Sequence, residues 1–208
     1  CATSNEAEMF YMLVPDPNGE VNNNKRTKDD VLGGTVGVLG HEFQHLINAS
    51  RRMFVNNATS FEEVWLNEGL SHIAEELLFY NASGLAPRQN IGLTQLRSSP
   101  TILNAVNAYQ VDNFGRLIEY LKDPEARSPY ANDDELATRG ATWQLLRYAA
   151  DRSTTPQQTL WMNLVNSKIA GTANFIAVFG GDFLGQVRDW TAAQYTDDAV
   201  SPLVAAHQ

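Results

Sequence analysis

His41-Glu42-Phe43-Gln44-His45 contains two of the chain's four histidines, and Trp65-Leu66-Asn67-Glu68-Gly69 begins twenty residues after His45. Residues four apart on an α-helix stand one turn apart on the same face, so His41 and His45 would present their imidazoles together. Two neutral imidazoles are half of a tetrahedral zinc site. Glu68, from a second helical segment, would be the third protein ligand. A fourth position left open to water is what separates a catalytic zinc site from a structural one. Glu42 lies between the histidines and would lean over that position to take a proton from the water. The competing reading is a pair of ordinary surface or core histidines. The amphipathic Asn-Glu-Gly segment downstream argues against it.

Two helices must carry these groups. Thr27-Lys28-Asp29-Asp30 reads as a capping-box variant opening a helix through Val31, Thr35, Val38 and Leu39 into the histidines. Gly33, Gly34, Gly37 and Gly40 weaken it by roughly 1 kcal/mol each, a cost that close approach of another backbone would justify. Asn48 to Arg52 ends the regular pattern. Ser60-Phe61-Glu62-Glu63 reads as a capping box for the second helix. Leu66, Leu70, Ile73 and Leu77 then form an apolar stripe. Glu68, His72 and Glu75 form a separate stripe, expected to face the metal.

Upstream, Glu8 to Val14 is β-prone and mostly apolar, and is bounded by the turn Pro15-Asp16-Pro17-Asn18-Gly19, so it reads as a strand. Downstream everything reads as helix. Ser99-Pro100 starts one that runs to about Leu121, another spans about Leu136 to Asp151, and Thr155-Pro156 repeats the start signal. Gly171 and Gly180-Gly181 delimit two last helices, the final one ending near Tyr195. The expected fold class is α+β, mostly α. A zinc-binding part covers residues 1–88, a helical lobe covers residues 89–208, and the cut falls near Ser83–Asn90.

Gly40-His41-Glu42-Phe43-Gln44-His45-Leu46-Ile47-Asn48, followed by Val64-Trp65-Leu66-Asn67-Glu68-Gly69-Leu70, resembles the hyicolysin family of zinc metallopeptidases. It is also similar to the one-zinc aminopeptidases, and both belong to the gluzincins, named for their glutamate ligand. The likeness is dense from Val36 to Leu78 and general beyond about residue 90. The alternative zincin pattern with a third histidine needs glycine at position 48 and histidine at position 51, where this chain has Asn48 and Arg51.

The resemblance implies a zincin fold, one Zn2+ per chain on His41, His45 and Glu68, and peptide hydrolysis with Glu42 as general base. It implies that the early strand lines the cleft, and a multi-strand sheet ahead of the HExxH helix, for which the forty residues before His41 leave little room. Glu75 matches a second glutamate of the aminopeptidase pattern, where it would hold a ligand imidazole by a hydrogen bond. His72 would do similar work or be a solvated helix residue. The tyrosine that stabilises the oxyanion in the aminopeptidases would align with Ala137, so that donor is absent; Tyr130 is the expected substitute and Arg139 its competitor. The amine-binding segment of those enzymes is absent too. Glu6 and Glu8 stand near its place, and endopeptidase activity is favoured.

A net charge of −9 argues against a nucleic-acid partner and against an anionic membrane surface. The expected partner is a peptide or protein substrate. A single cysteine, Cys1, allows no intrachain disulfide, and no apolar run reaches membrane-spanning length. An N-terminal Cys fits a processed or cut chain. It also fits a mature bacterial lipoprotein, so a secreted or cell-envelope protein is expected, with lipid anchoring through Cys1 as one form of it. Two other functions remain in view: a zinc-binding pseudo-peptidase serving as a binding module, and a zinc hydrolase of a non-peptide amide.

Overall fold

The computed structural model describes residues 9–89 and 91–196. Cys1, Glu6 and Glu8, and with them the lipid-anchor and amine-binding expectations, lie outside the described residues. The elements are α1 (Lys28–Ser50), a π-helical turn (Arg51–Val55), α2 (Val64–Ser83), α3 (Leu93–Ser98), α4 (Pro100–Tyr109) and α5 (Val111–Leu121). After a short 3-10 turn (Pro124–Ala126) come α6 (Leu136–Arg152), α7 (Gln157–Val165), α8 (Gly171–Phe179) and α9 (Phe183–Thr196).

The described chain is therefore mainly α, and the strand expected over residues 8–14 is corrected. Residues 9–14 have no regular structure, and the one β-bridge among the described residues joins Asp16 to Arg26. β-Propensity is realised only against a neighbouring strand. Here the turn folds on itself: Asp16 accepts from the backbone N–H groups of Glu20 and Val21, both at 2.9 Å, and Arg26 Nε donates to the Val14 carbonyl at 2.6 Å.

The α1 start is as expected. Asp30 N donates to Thr27 Oγ1 at 3.1 Å, and Thr27 N to the Asp30 carboxylate at 2.7 Å. Its end differs, because the chain stays helical past Asn48 and widens into the π turn. That turn carries the fully buried Arg52, whose Nη1 donates to Glu62 Oε2 at 3.1 Å and to the Ile169 carbonyl at 2.8 Å. The same ion pair accounts for the second correction. Glu62 closes no capping box with Ser60, because its carboxylate accepts from Gly171 N at 2.6 Å and Asn174 Nδ2 at 2.8 Å. Glu63 is the N-cap of α2 instead.

A third correction concerns the helix expected from Ser99 to Leu121. Ser99 does cap it, but the helix breaks at Gln110 into α4 and α5 as that side chain turns inward.

The core is built on α2 and α6. Trp65, Leu66, Leu70 and Ile73 of α2 meet Leu145 and Leu146 of α6, Leu160 and Leu164 of α7, Phe175 of α8 and Trp190 of α9, all at most 2% exposed. Leu77, the last residue of the expected stripe, is 38% exposed. Two glycines set the spacing. A Cβ on Gly69 would collide with Thr142, and one on Gly140 with the backbone of Arg116 and Leu117, so α6 lies tight against both α2 and α5. Among the α1 glycines, Gly37 faces the Ala108 carbonyl at 3.6 Å and Gly40 faces the Leu78 side chain at 2.7 Å. Gly33 and Gly34 face open space.

Candidate metal centre

α1 and α2 run antiparallel, which follows from their pairings in order: Gly40 with Leu78, His41 with Glu75, His45 with Ser71 and Asn48 with Asn67. The stripe Glu68, His72, Glu75 therefore lies along the face of α1 that carries the histidines. α2 is buried on two sides, by its leucines against the core and by its polar stripe against α1.

At the centre, His41 Nε2 lies 3.4 Å from Glu68 Oε2, and His45 Nε2 lies 3.5 Å from Glu68 Oε1. Potential ligand atoms of His41, His45 and Glu68 all fall within 4.8 Å of one another. These spacings are long for a charge-assisted hydrogen bond, which closes to about 2.7–2.9 Å. They match the edge of a tetrahedron: ligand atoms about 2.0–2.2 Å from a common ion are about 3.3–3.6 Å apart. The donor set, two imidazoles and a carboxylate, is also one that zinc takes. The residues present fit the ion.

Glu75 fixes the orientation of His41. Its Oε1 lies 2.8 Å from His41 Nδ1 and its Oε2 lies 3.2 Å from His72 Nδ1. Accepting the Nδ1 proton of His41 leaves the Nε2 lone pair facing Glu68. His72 is fully buried, with its ring 4.7 Å from that of His41, so the solvated alternative for it is excluded. His45 has Ser71 Oγ 3.2 Å from its Nδ1. Ser71 was not singled out in the sequence, although its place three residues after Glu68 puts it on the same face of the helix.

The charges are arranged for a cation. Burial works against ionising Glu75, but hydrogen bonds from His41 and His72 outweigh it and hold the carboxyl down at about 2. Burial likewise opposes Glu68, and the His41 hydrogen bond and the Arg139 charge still lower it. Burial also opposes a proton on His41, yet hydrogen bonds to Glu68 and Glu75 raise it to about 9. For His72 burial prevails and lowers it, so this ring is neutral near pH 7.

Glu42 is exposed beside His41, about 100° further round α1, as expected of a group at the open side of the site. Tyr130 is placed differently from its expected role. Its ring packs edge-on against Phe183 at 5.0 Å and Trp65 at 6.5 Å, at the margin of the core. A phenol clamped between two aromatics is not a group that swings into a cleft. Arg139 reaches the centre instead, with Nη1 3.0 Å from Glu68 Oε2 while its Nε donates to Asp134 at 2.8 Å. Arg116 on α5 lies 3.9 Å from Glu75, a contact that no spacing in the sequence could have shown.

Over 74 residues the chain is 31% identical to the neutral metalloprotease ShpI of Staphylococcus hyicus. The match covers 36% of this chain and 16% of that protein. No family model and no solved structure matches the chain. A distant metalloprotease relative and a His/Glu group able to hold a metal thus stand together. No helix among the described residues is long and apolar enough to cross a membrane.

Proposed function

We propose that this chain carries the metal centre of a zinc metallopeptidase of the hyicolysin type, within the gluzincins, and that it hydrolyses internal peptide bonds. The observation that carries the reading is the convergence of His41 and His45 Nε2 on the two oxygens of Glu68 at 3.4 and 3.5 Å, tetrahedral-edge spacings among zinc-type donors. His41, His45 and Glu68 would hold one zinc. When bound, the ion supplies a Lewis acid and lowers the pKa of a water toward neutrality.

The remaining work falls to the chain. Glu42 takes the proton of the attacking water and returns it to the leaving nitrogen, as a general base and then acid. Its exposed position leaves it accessible to both. Glu75 keeps His41 in the tautomer that offers Nε2. Arg139 brings a fixed positive charge to the rim, anchored to Asp134, and is the group we assign to the developing oxyanion in place of Tyr130. α1 and α2 hold these groups before substrate arrives, so little reorganisation accompanies attack.

The test is cleavage of an unstructured protein by zinc-loaded protein, with and without chelator, beside Glu42→Gln. Activity should vanish with chelator and return with zinc. Glu42→Gln should keep the metal and lose about 10²–10⁴-fold in turnover. A zinc-loaded protein that is inert on every peptide offered, including as the complete gene product, would leave a zinc-binding module. Selective cleavage of non-peptide amides would replace the peptidase reading with that of a different hydrolase.

A further inference from the structure

Beyond Glu75 along α2 lies a cavity of about 680 Å³, walled also by α3, α4, α5, α6 and α9. None of His41, His45 and Glu68 lines it. Its volume falls within the about 300–1,000 Å³ of small-molecule sites. Much of the wall is apolar, with Phe79, Leu96, Val106 and Phe114 among its residues. Two side chains of the wall do not fit an empty apolar hole. Gln110 is 4% exposed, and neither its amide oxygen nor its amide nitrogen has a hydrogen-bond partner. Trp143 is 3% exposed and its indole N–H is equally unbonded. Buried polar groups are almost always paired, so three orphaned atoms on one cavity wall indicate a missing partner.

The chemistry of that partner can be read from the wall. Gln110 offers a donor and an acceptor side by side, the complement of a primary amide or lactam. Trp143 adds a donor for the same carbonyl. The wall does not invite a charge. Its guanidinium, Arg147, is already held by Glu76 at 2.9 Å, Asp151 at 3.0 Å and Gln157 at 3.1 Å. We propose that this cavity binds an uncharged, mostly apolar small molecule bearing a primary amide or lactam, held through Gln110 and Trp143. The site is separate from the metal centre and does not depend on the peptidase reading.

The test follows the indole N–H resonance of Trp143 in 15N-labelled protein, assigned by its loss in Trp143→Phe. The probes are biphenyl-4-carboxamide, indole-3-carboxamide and 2-quinolone. 4-Acetylbiphenyl, which keeps the shape of the first probe and lacks the N–H donors, is the control. The carboxamide should shift the resonance saturably and bind on the order of tenfold tighter than the control, because the control leaves Gln110 Oε1 unpaired. Gln110→Leu should erase that difference, and His45→Ala should bind the carboxamide as wild type does. No saturable shift with any of the three amides would mean that water alone satisfies the wall, and would overturn the proposal. Equal affinity for carboxamide and control in the wild type would overturn it as well, whether or not the Gln110 variant folds. Loss of binding in His45→Ala would move the ligand to the metal centre and overturn it too.

Discussion

Removing Glu75 tests how the centre prepares His41 for a metal. In the metal-free protein the His41 proton is held to about pH 9, against burial, by Glu68 and Glu75. A metal must displace that proton. At pH 7, two units below 9, about one molecule in a hundred has a free Nε2, so apparent affinity lies about 100-fold, or about 2.7 kcal/mol, below its high-pH limit. Affinity should therefore climb about tenfold per pH unit through neutrality and level off near pH 9. The stability of the metal-free fold runs the opposite way. A raised histidine stabilises the fold fully below its ordinary 6.5 and loses that contribution as pH rises through 9. Glu75→Ala removes the 2.8 Å hydrogen bond and its charge. The plateau should then begin at lower pH, while affinity on the plateau falls about 10–100-fold because the ring is no longer oriented. Zinc competition titrations from pH 6 to 10, on wild type and variant, read both effects. An unchanged profile in Glu75→Ala would refute the account of how His41 is set.

Three further outcomes follow from the same structure. Arg139→Ala should raise the barrier to turnover by about 2.7–4 kcal/mol with a smaller change in KM, whereas Tyr130→Phe, which keeps the aromatic packing, should turn over normally; steady-state kinetics on one peptide separates the two. Gly140→Ala drives a methyl group into the Arg116–Leu117 backbone and should cost about 1–3 kcal/mol in chemical denaturation. Glu62→Ala strands the fully buried Arg52 without its carboxylate and should cost about 3–5 kcal/mol, read as a lower denaturation midpoint.

What was legible in the sequence was whatever depends on local spacing. The Thr27–Asp30 cap, the Ser99 cap, the limits of α6 and the faces of α2 follow from residues within a turn or two of one another, and they hold. The meeting of Glu75 with His41 could be expected because each helix displays its stripe and a short link forces the pair antiparallel. Features set by distant partners could not be read. Glu62 looked like a capping residue until Arg52, Gly171 and Asn174 claimed its oxygens. The β-prone run before Pro15 has no strand to pair with among the described residues. Tyr130 and Arg139 were alternatives of equal standing in the sequence. Only the packing of α6 on α2, set by Gly69 and Gly140, brings one to Glu68 and leaves the other against Phe183.

The central claim is that His41, His45 and Glu68 together hold one zinc. Zinc K-edge X-ray absorption on stoichiometrically loaded protein measures this directly. The account predicts one equivalent of zinc in a four-coordinate nitrogen and oxygen shell at about 2.0–2.2 Å, with two imidazoles, and loss of that bound metal in both His45→Ala and Glu68→Ala. Full zinc content in either variant, or a six-coordinate shell of water oxygens in the wild type, would contradict it.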